Sequence, residues 1–131
     1  MILMPHVKFF DFPVWRAARR LQQVIDARSS TGNFRGDWRL RDQTRSAAAS
    51  VMANIAEGLA RRHDRECVQY LFQAKASGAE VQSHLFVALD RGYLGEQDFA
   101  EVFEIADDVA RQLSGFISYM TSRVRQRPLR P

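Results

Sequence analysis

Apolar residues recur along this chain at steps of three and four, which is the spacing of a helix that buries one face. The first such stretch follows Asp11, a good N-cap residue, and continues to about Ile25. A polar break at residues 29–33 separates it from a second stretch, which is predicted to run from about Asp37 to Ala60. No stretch alternates convincingly between apolar and polar residues, so strands are not predicted.

The second half of the chain carries two longer apolar stripes. A third helix is predicted to begin at Asp64 and to end at Gly92, a plausible C′ residue. The fourth, with apolar positions from Phe99 to Met120, has the clearest pattern, and its steps of three and one are typical of a helix bundle. Ten residues are predicted to lie in the core: Val51, Ile55, Leu71, Val81, Leu85, Val102, Phe103, Val109, Leu113 and Phe116.

Four helices joined by short connections predict an all-α fold, with the antiparallel up-down-up-down four-helix bundle as the simplest arrangement. The 131 residues are predicted to form one domain, with a core at about residues 9–122 and a mobile basic tail at residues 123–131. Small residues, Gly58 and Gly78 among them, concentrate where the second and third helices are expected to face each other. Small side chains allow two helix backbones to approach closely.

Composition limits the class of protein and its expected compartment. No run approaches the roughly 20 apolar residues that span a bilayer, so no membrane association is expected. The apolar N-terminus is short and has neither a preceding basic region nor a small-residue cleavage site. We therefore expect no signal peptide and a cytoplasmic location. The one cysteine, Cys67, excludes an internal disulfide.

Two pairs of residues have the i, i+4 spacing that places side chains on one helix face. His63 and Cys67 are potential metal ligands, but zinc needs three or four ligands and no further Cys or His lies near in sequence. Glu80 and His84 are suited to acid–base chemistry, although a surface hydrogen bond is the more common outcome. No nucleophile elbow, phosphate loop or dinucleotide fingerprint is present. We expect no enzymatic activity, no cofactor and no metal.

Charge is segregated along the chain, although the net value is only +4. Residues 1–75 carry 13 basic and 7 acidic side chains, residues 76–110 carry one and eight, and residues 111–131 carry five arginines and no acid. Arginine outnumbers lysine 17 to 2, and its planar guanidinium suits phosphate well. The arginines predicted to bind nucleic acid are Arg16, Arg19, Arg20, Arg35, Arg39, Arg41, Arg45, Arg123, Arg125 and Arg127. The alternative is that they solubilise the surface or pair with the eight acids between Glu80 and Asp108.

An unusual polar stretch interrupts the second predicted helix. Asn54 and Gly58 both lower helix propensity, so their presence near the end of an apolar helix requires a tertiary reason. Asn54 is predicted to hydrogen-bond across to another helix, and Glu57 to pair with Arg61 or with an arginine of a neighbouring element. A structural polar network is the favoured interpretation, and a ligand-binding role is the alternative.

These residues resemble a known family. The matching positions of the central block are Leu40, Gln43, Ala47, Ser50, Asn54, Ile55, Ala56, Glu57, Gly58 and Arg61. They resemble the signature of the four-helix bundle proteins encoded in 23S ribosomal RNA intervening sequences, which are distantly related to accessory proteins of diversity-generating retroelements. The resemblance covers roughly residues 9–120 and continues in Asp11, Phe12, Val14, Trp15, Ala18, Tyr70, Leu71, Ala74, Ser77, Gly78, Glu80, Gly92, Tyr93 and Leu94.

The resemblance implies a four-helix bundle that commonly forms a ring-shaped homopentamer and has no established enzymatic activity. It implies structural roles for Gln43, Ser50, Asn54, Glu57, Gly58, Arg61 and Glu80. Aromatic residues off the main stripes, Phe72 and Phe86 among them, independently suggest contacts between copies. The retroelement relatives are basic and bind nucleic acid and a reverse transcriptase. Two functions stay open: an accessory protein that binds RNA or DNA, and an oligomeric scaffold for a protein partner.

Overall fold

The helical pattern of the sequence is present in the computed structural model, which describes residues 8–126. The helices are α1 (Pro13–Arg28), α2 (Gly32–Gly36), α3 (Trp38–Leu59), α4 (Asp64–Asp90) and α5 (Glu96–Gln126). Within residues 8–126 there is no strand, so the predicted all-α class is confirmed. The four predicted helices are α1, α3, α4 and α5, whereas the short helix α2 was not predicted: it begins inside the predicted polar break at residues 29–33 and ends just before the predicted start of the second helix.

The helix ends follow local chemistry, with one departure from the sequence prediction. Asp11 does not cap α1; it ends a short 3-10 turn, and its carboxylate accepts a hydrogen bond from the backbone N–H of Lys8 at 3.2 Å. The N-cap of α1 is Phe12 instead. The predicted end of α4 is confirmed, because Gly92 has a φ of +75° and its N–H bonds the carbonyl of Leu89 at 3.0 Å.

Each long helix packs against the long helices that precede and follow it in sequence, and α5 closes the arrangement by packing against α1. Contacts between helix ends give the directions. The start of α3 meets the end of α4 through Asp37 and Arg91, and the start of α4 meets the end of α5 through Asp64 and Arg123. Helices that are neighbours in space therefore run antiparallel in both of these pairs, as a bundle with short connections requires.

The core lies between the four long helices, and most of it was predicted correctly. Eight of the ten predicted core residues are buried: Val51, Ile55, Leu71, Val81, Leu85, Val102, Val109 and Leu113. Phe103 and Phe116 were wrongly placed there, because both rings lie at the edge of the core and are only partly buried. Phe34 of α2, by contrast, is 1% exposed and completes the core from the connection between α1 and α3.

Helices α3 and α4 approach closely near the end of α3. A Cβ atom at Gly58 would lie 3.1 Å from the Cβ of Tyr70 and 3.2 Å from the carbonyl oxygen of Cys67, so the predicted close approach is confirmed here. It does not extend to Gly78, where a Cβ would meet no atom within 4 Å. Cys67 is fully buried, and burial raises the pKa of its thiol to about 11, which keeps it protonated at neutral pH.

The predicted mobile tail begins too early. Helix α5 continues to Gln126, and Arg123, which was predicted to open the tail, is 8% exposed and sits inside the bundle end. Arg127 and the rest of the tail lie outside the described residues. Among residues 8–126, no helix combines the length and apolar character needed to cross a membrane.

Candidate nucleic-acid interface

The arginines of α1 project from the outer side of that helix, as predicted. Arg16 and Arg19 are exposed and line an open groove of about 610 Å³ together with Phe9, Phe10 and Trp15. The Nε of Arg16 donates to the carbonyl oxygen of Phe10 at 2.9 Å, so part of its hydrogen-bonding capacity is already used. The guanidinium of Arg19 forms no ion pair with a described residue and remains available to a ligand.

Arg20 lies in a different environment from its neighbour Arg19. It lines a hollow between α1 and α5 with Glu104 and Asp108, although neither carboxylate lies within ion-pair distance of it. Arg20 is exposed, but the field around it is mixed in sign. The three candidate arginines of α1, Arg16, Arg19 and Arg20, therefore do not form one uniform basic patch.

Four of the candidate arginines lie in α2 and in the first turns of α3: Arg35, Arg39, Arg41 and Arg45. Two of them are exposed, and the other two form hydrogen bonds within the chain. Arg35 and Arg39 are exposed and form no ion pair with a described residue. Arg45 is partly buried, and its guanidinium donates to the hydroxyls of Ser29 and Ser30, each at 2.8 Å. Arg41 donates to the carbonyl oxygen of Arg35 at 3.2 Å. Arg41 and Arg45 thus hold the connection between α1 and α3, which leaves Arg35 and Arg39 as the binding candidates.

Trp38, which the sequence analysis did not select, stands between these two exposed arginines. It is the first residue of α3 and is 62% exposed. The guanidinium carbon of Arg39 lies 5.9 Å from the centre of its indole ring. We call the surface formed by Arg35, Trp38 and Arg39 the Trp38 corner. An arginine, tryptophan and arginine within five residues was the sequence signal that pointed to it.

A hydrogen-bonded cluster supports the Trp38 corner from beneath. Asp37 caps α3 by accepting from the N–H of Leu40 at 3.2 Å, and it also accepts from the Tyr93 hydroxyl at 2.8 Å and from Arg91 at 2.7 Å. The hydrogen bond from Tyr93, followed by the one from Leu40, lowers the pKa of the Asp37 carboxyl. The same bond raises the pKa of Tyr93, whose ring stacks on Phe34.

The acidic side chains of α5 pair with arginines outside the predicted binding set. Arg111 contacts Glu104 at 2.9 Å and Asp107 at 2.8 Å. Arg28 at the end of α1 contacts Glu101 at 3.4 Å and also lies near Asp98. The alternative prediction was that the eight acids between Glu80 and Asp108 pair with the candidate arginines. The ion pairs of the α5 acids are formed with Arg28 and Arg111 instead.

Of the two predicted arginines that the structure describes at the end of α5, one is exposed and the other is buried. Arg123 lies 3.1 Å from the carboxylate of Asp64, and the two side chains are among the least exposed charged groups described. Arg123 is therefore held inside the bundle end by Asp64 and is not on an exposed tail as predicted, so it is not among the exposed binding candidates. Arg125 is exposed on the last turn, whereas Arg127 lies outside the described residues.

Sequence reasoning missed two further exposed arginines, one in the connection between α3 and α4 and one in the first turn of α4. Arg62 and Arg65 are exposed and form no ion pair with a described residue. The basic run at residues 61–65 was the available signal. These two arginines add positive charge at the end of the bundle opposite the Trp38 corner.

The family motif forms a polar contact between α3 and α4. The hydroxyls of Ser50 and Ser77 lie 2.8 Å apart and join the two helices. Asn54 does not cross to another helix as predicted; its amide donates to the carbonyl and hydroxyl of Ser50, at 2.9 and 3.1 Å. The predicted pair of Glu57 and Arg61 is confirmed at 2.9 Å.

The remaining motif residues are Gln43 and Glu80, and Glu80 also belongs to one of the two candidate pairs. Gln43 is exposed, and Glu80 lies 3.3 Å from the ring nitrogen of His84, which is the surface contact expected at this spacing. Within the described part of the chain, no three Cys, His, Asp or Glu side chains are arranged to hold a metal ion. His63 is exposed whereas Cys67 is fully buried, so the two do not present a shared site.

These features define an all-helical bundle protein with an arginine-rich surface. The family model described as "23S rRNA-intervening sequence protein" matches residues 11–115, and the chain belongs to this family. The fold is similar to a crystal structure of a protein of unknown function from the S23 ribosomal protein family of Bacteroides thetaiotaomicron. That likeness has a TM-score of 0.73 at 14% identity and covers 79% of this chain and 97% of the other. A comparison with curated proteins finds no match.

Proposed function

We propose that this protein binds RNA or DNA through contacts to phosphate and catalyses no reaction. The observation that carries the proposal is the pairing of the α5 acids with Arg28 and Arg111. These α5 carboxylates contact Arg28 or Arg111, and none of them lies within ion-pair distance of a candidate arginine. The exposed candidates without an ion pair to a described residue are Arg19, Arg20, Arg35, Arg39 and Arg125.

The chemistry of these side chains favours phosphate over other anions. A guanidinium stays charged at all relevant pH values and offers parallel N–H donors that match two phosphate oxygens. Such contacts do not distinguish bases, so we expect binding to be largely indifferent to sequence. Each phosphate contact releases counterions, and the affinity therefore falls steeply as salt rises.

The salt dependence of binding tests this proposal. A fluorescently labelled single strand of mixed sequence should bind in anisotropy titrations, and its affinity should fall by roughly 300-fold or more between about 50 and 200 mM salt if six or more phosphates are contacted. The double variant Arg35→Ala with Arg39→Ala should reduce the slope of log K against log salt by about 1.4 in absolute value, because each arginine lost removes about one contact and a single strand gives a slope of about 0.7 per contact.

Arg28→Ala with Arg111→Ala is the matched control. It removes the same net charge, but from arginines that are held by carboxylates on the surface, where ion pairs contribute little to stability. We expect this control to weaken binding somewhat, because the freed carboxylates repel phosphate, but to keep the salt slope near that of the wild type, because no candidate arginine is lost. Equal slopes for the two double variants would mean that net charge alone attracts the strand, and absence of binding at low salt would refute the proposal.

A second proposal concerns assembly, because a row of side chains along α4 is exposed in the described chain. At one end of the row, Phe86 also contacts the rings of Phe99 and Phe103 on α5. The exposed residues Phe72, Ala76, Ala79, Ser83 and Phe86 follow one another at steps of four and three. This spacing is the seam that helices present to one another in coiled coils, with large side chains here at both ends and small ones between. We infer that copies of this chain associate through this face, and the family resemblance implies a ring of five.

Light scattering coupled to size exclusion tests the assembly. The wild type at micromolar concentration should have a mass that is a multiple of 15.0 kDa, and Phe72→Glu with Ala79→Glu should reduce it to one subunit. Tyr119→Glu is the control, since Tyr119 is an exposed aromatic residue away from this face. A monomeric wild type would contradict the inference.

A further inference from the structure

We propose that the Trp38 corner is a stacking site for a base of single-stranded nucleic acid, with Arg35 and Arg39 holding the adjacent phosphates. This inference rests on the proposed nucleic-acid binding and adds a preference for one strand over two. Trp38 is more exposed than the other large apolar side chains described, at 62%. A side chain of this size contributes nothing to the core from that position, whereas an aromatic face exposed to solvent is available to a flat ligand.

The side chains around Trp38 carry a net positive charge, which is complementary to the phosphate of a nucleotide. Arg35 lies three residues before Trp38 in sequence, and Arg39 follows it directly. Neither guanidinium forms an ion pair with a described carboxylate. The two acids nearest in sequence are occupied, since Asp37 is held by Arg91 and Asp42 by Arg41. A phosphate approaching the indole therefore meets net positive charge, and the base that it carries can contact the ring.

The backbone beneath the ring is held in place before a ligand arrives. Trp38 begins α3 directly after the cap residue Asp37, whose carboxylate is fixed by three donors. Beside the indole is an open hollow of about 520 Å³, lined by Asn33, Gly36, Asp37, Trp38 and Tyr93. The exposed amide of Asn33 offers a donor and an acceptor to the edge of a base. A surface that is ordered in advance loses less entropy on binding.

The stacking geometry explains the preference for a single strand. In a duplex, each base already stacks on its neighbours and presents only an edge in the grooves, so an indole on a protein surface finds no free face. In a single strand, the bases can turn outward and stack on an aromatic side chain, which by alanine substitution is worth about 1–3 kcal/mol per base. That energy corresponds to about a 5- to 150-fold change in affinity.

Three substitutions at Trp38, measured on two probes, test the proposal. The probes are a labelled oligothymidylate of about 20 nucleotides and a mixed-sequence duplex of the same length. Trp38→Leu keeps an apolar side chain but removes the aromatic face, and Trp38→Ala removes both. We expect each to weaken the single strand by about 5-fold or more and to leave duplex binding unchanged. Trp38→Phe retains a ring and should recover most of the lost affinity.

Tryptophan fluorescence gives a direct readout of stacking. The chain has two tryptophans, and Trp15→Phe leaves Trp38 as the sole indole. In this variant, oligothymidylate should quench the emission in proportion to the fraction bound, and the duplex should leave it nearly unchanged. Quenching by both probes, or by neither, would contradict stacking of a free base.

The outcomes separate this inference from the function on which it rests. If neither probe binds at low salt, the proposed nucleic-acid binding itself fails. If both probes bind, with the expected salt slope, but Trp38→Leu behaves like the wild type, only the stacking site is refuted. A fall in the mass of the assembly on Trp38→Leu would also overturn it, because Trp38 would then be a contact between protein chains.

Discussion

Replacing Arg123 with alanine is expected to lower the free energy of unfolding by about 3–5 kcal/mol, because it removes the guanidinium that faces a buried carboxylate. Asp64 is 7% exposed, and its Oδ2 accepts from the Nε of Arg123 at 3.1 Å. The pair joins the first residue of α4 to the last turns of α5, so its loss also frees two helix ends. Urea denaturation followed by circular dichroism measures the change.

Arg125→Ala is the control for this prediction. Arg125 lies two residues further along the same helix and is exposed, so its removal should change the free energy of unfolding by less than about 0.5 kcal/mol. The combined variant Asp64→Leu with Arg123→Met should regain much of the stability, since apolar side chains of similar volume remove the buried charges together. If Arg123→Ala is as stable as Arg125→Ala, the buried pair is not stabilising.

Phe34→Ala should cost about 3–5 kcal/mol of stability, which is the usual range for deleting a fully buried ring. The ring is 1% exposed and stacks on Tyr93, with the ring centres 5.7 Å apart. Its loss opens a cavity beneath the connection between α1 and α3, which the surrounding helices fill only in part. Thermal or urea unfolding of the variant provides the measurement.

Phe103→Ala is the control that tests whether the burial of the ring, and not its size alone, determines the loss of stability. The same atoms are removed, but Phe103 is only partly buried and contacts Phe86 and Phe99 at the surface of the bundle. We therefore expect a loss below about 2 kcal/mol, because less apolar area returns to water. Equal losses for Phe34→Ala and Phe103→Ala would show that the short helix α2 does not anchor its ring as described.

The long helices could be predicted because each repeats its apolar spacing over several turns. α2 could not, since five residues with two glycines are too short to have a period. Its buried Phe34 therefore resembled a loop residue. The start of α1 was misplaced for a related reason: Asp11 is a favourable N-cap by type, yet Pro13 fixed the first turn one residue later.

The candidate site was less predictable than the fold because its residues are defined by what they contact. Arg123 and Arg125 are equivalent in sequence, but only Arg123 faces the interior, where Asp64 lies 59 positions away. Arg41 and Arg45 similarly appear free in sequence, yet Arg41 donates to the carbonyl oxygen of Arg35 in α2, and Arg45 donates to the hydroxyls of Ser29 and Ser30 after α1. Pairing over such distances leaves no periodic signal, whereas pairs at i, i+4 such as Glu57 and Arg61 do.

The circular order of the helices has a consequence for how the chain folds. Three of its four long-helix interfaces join helices that are consecutive long helices in sequence, and only the interface of α1 with α5 links distant parts of the chain. Most of the loop-closure entropy is therefore lost in short connections. Distant segments of the chain have to come together only at the interface of α1 with α5. Chains dominated by local contacts reach their native state in microseconds to milliseconds, and we expect a single copy of this bundle to fold in that range.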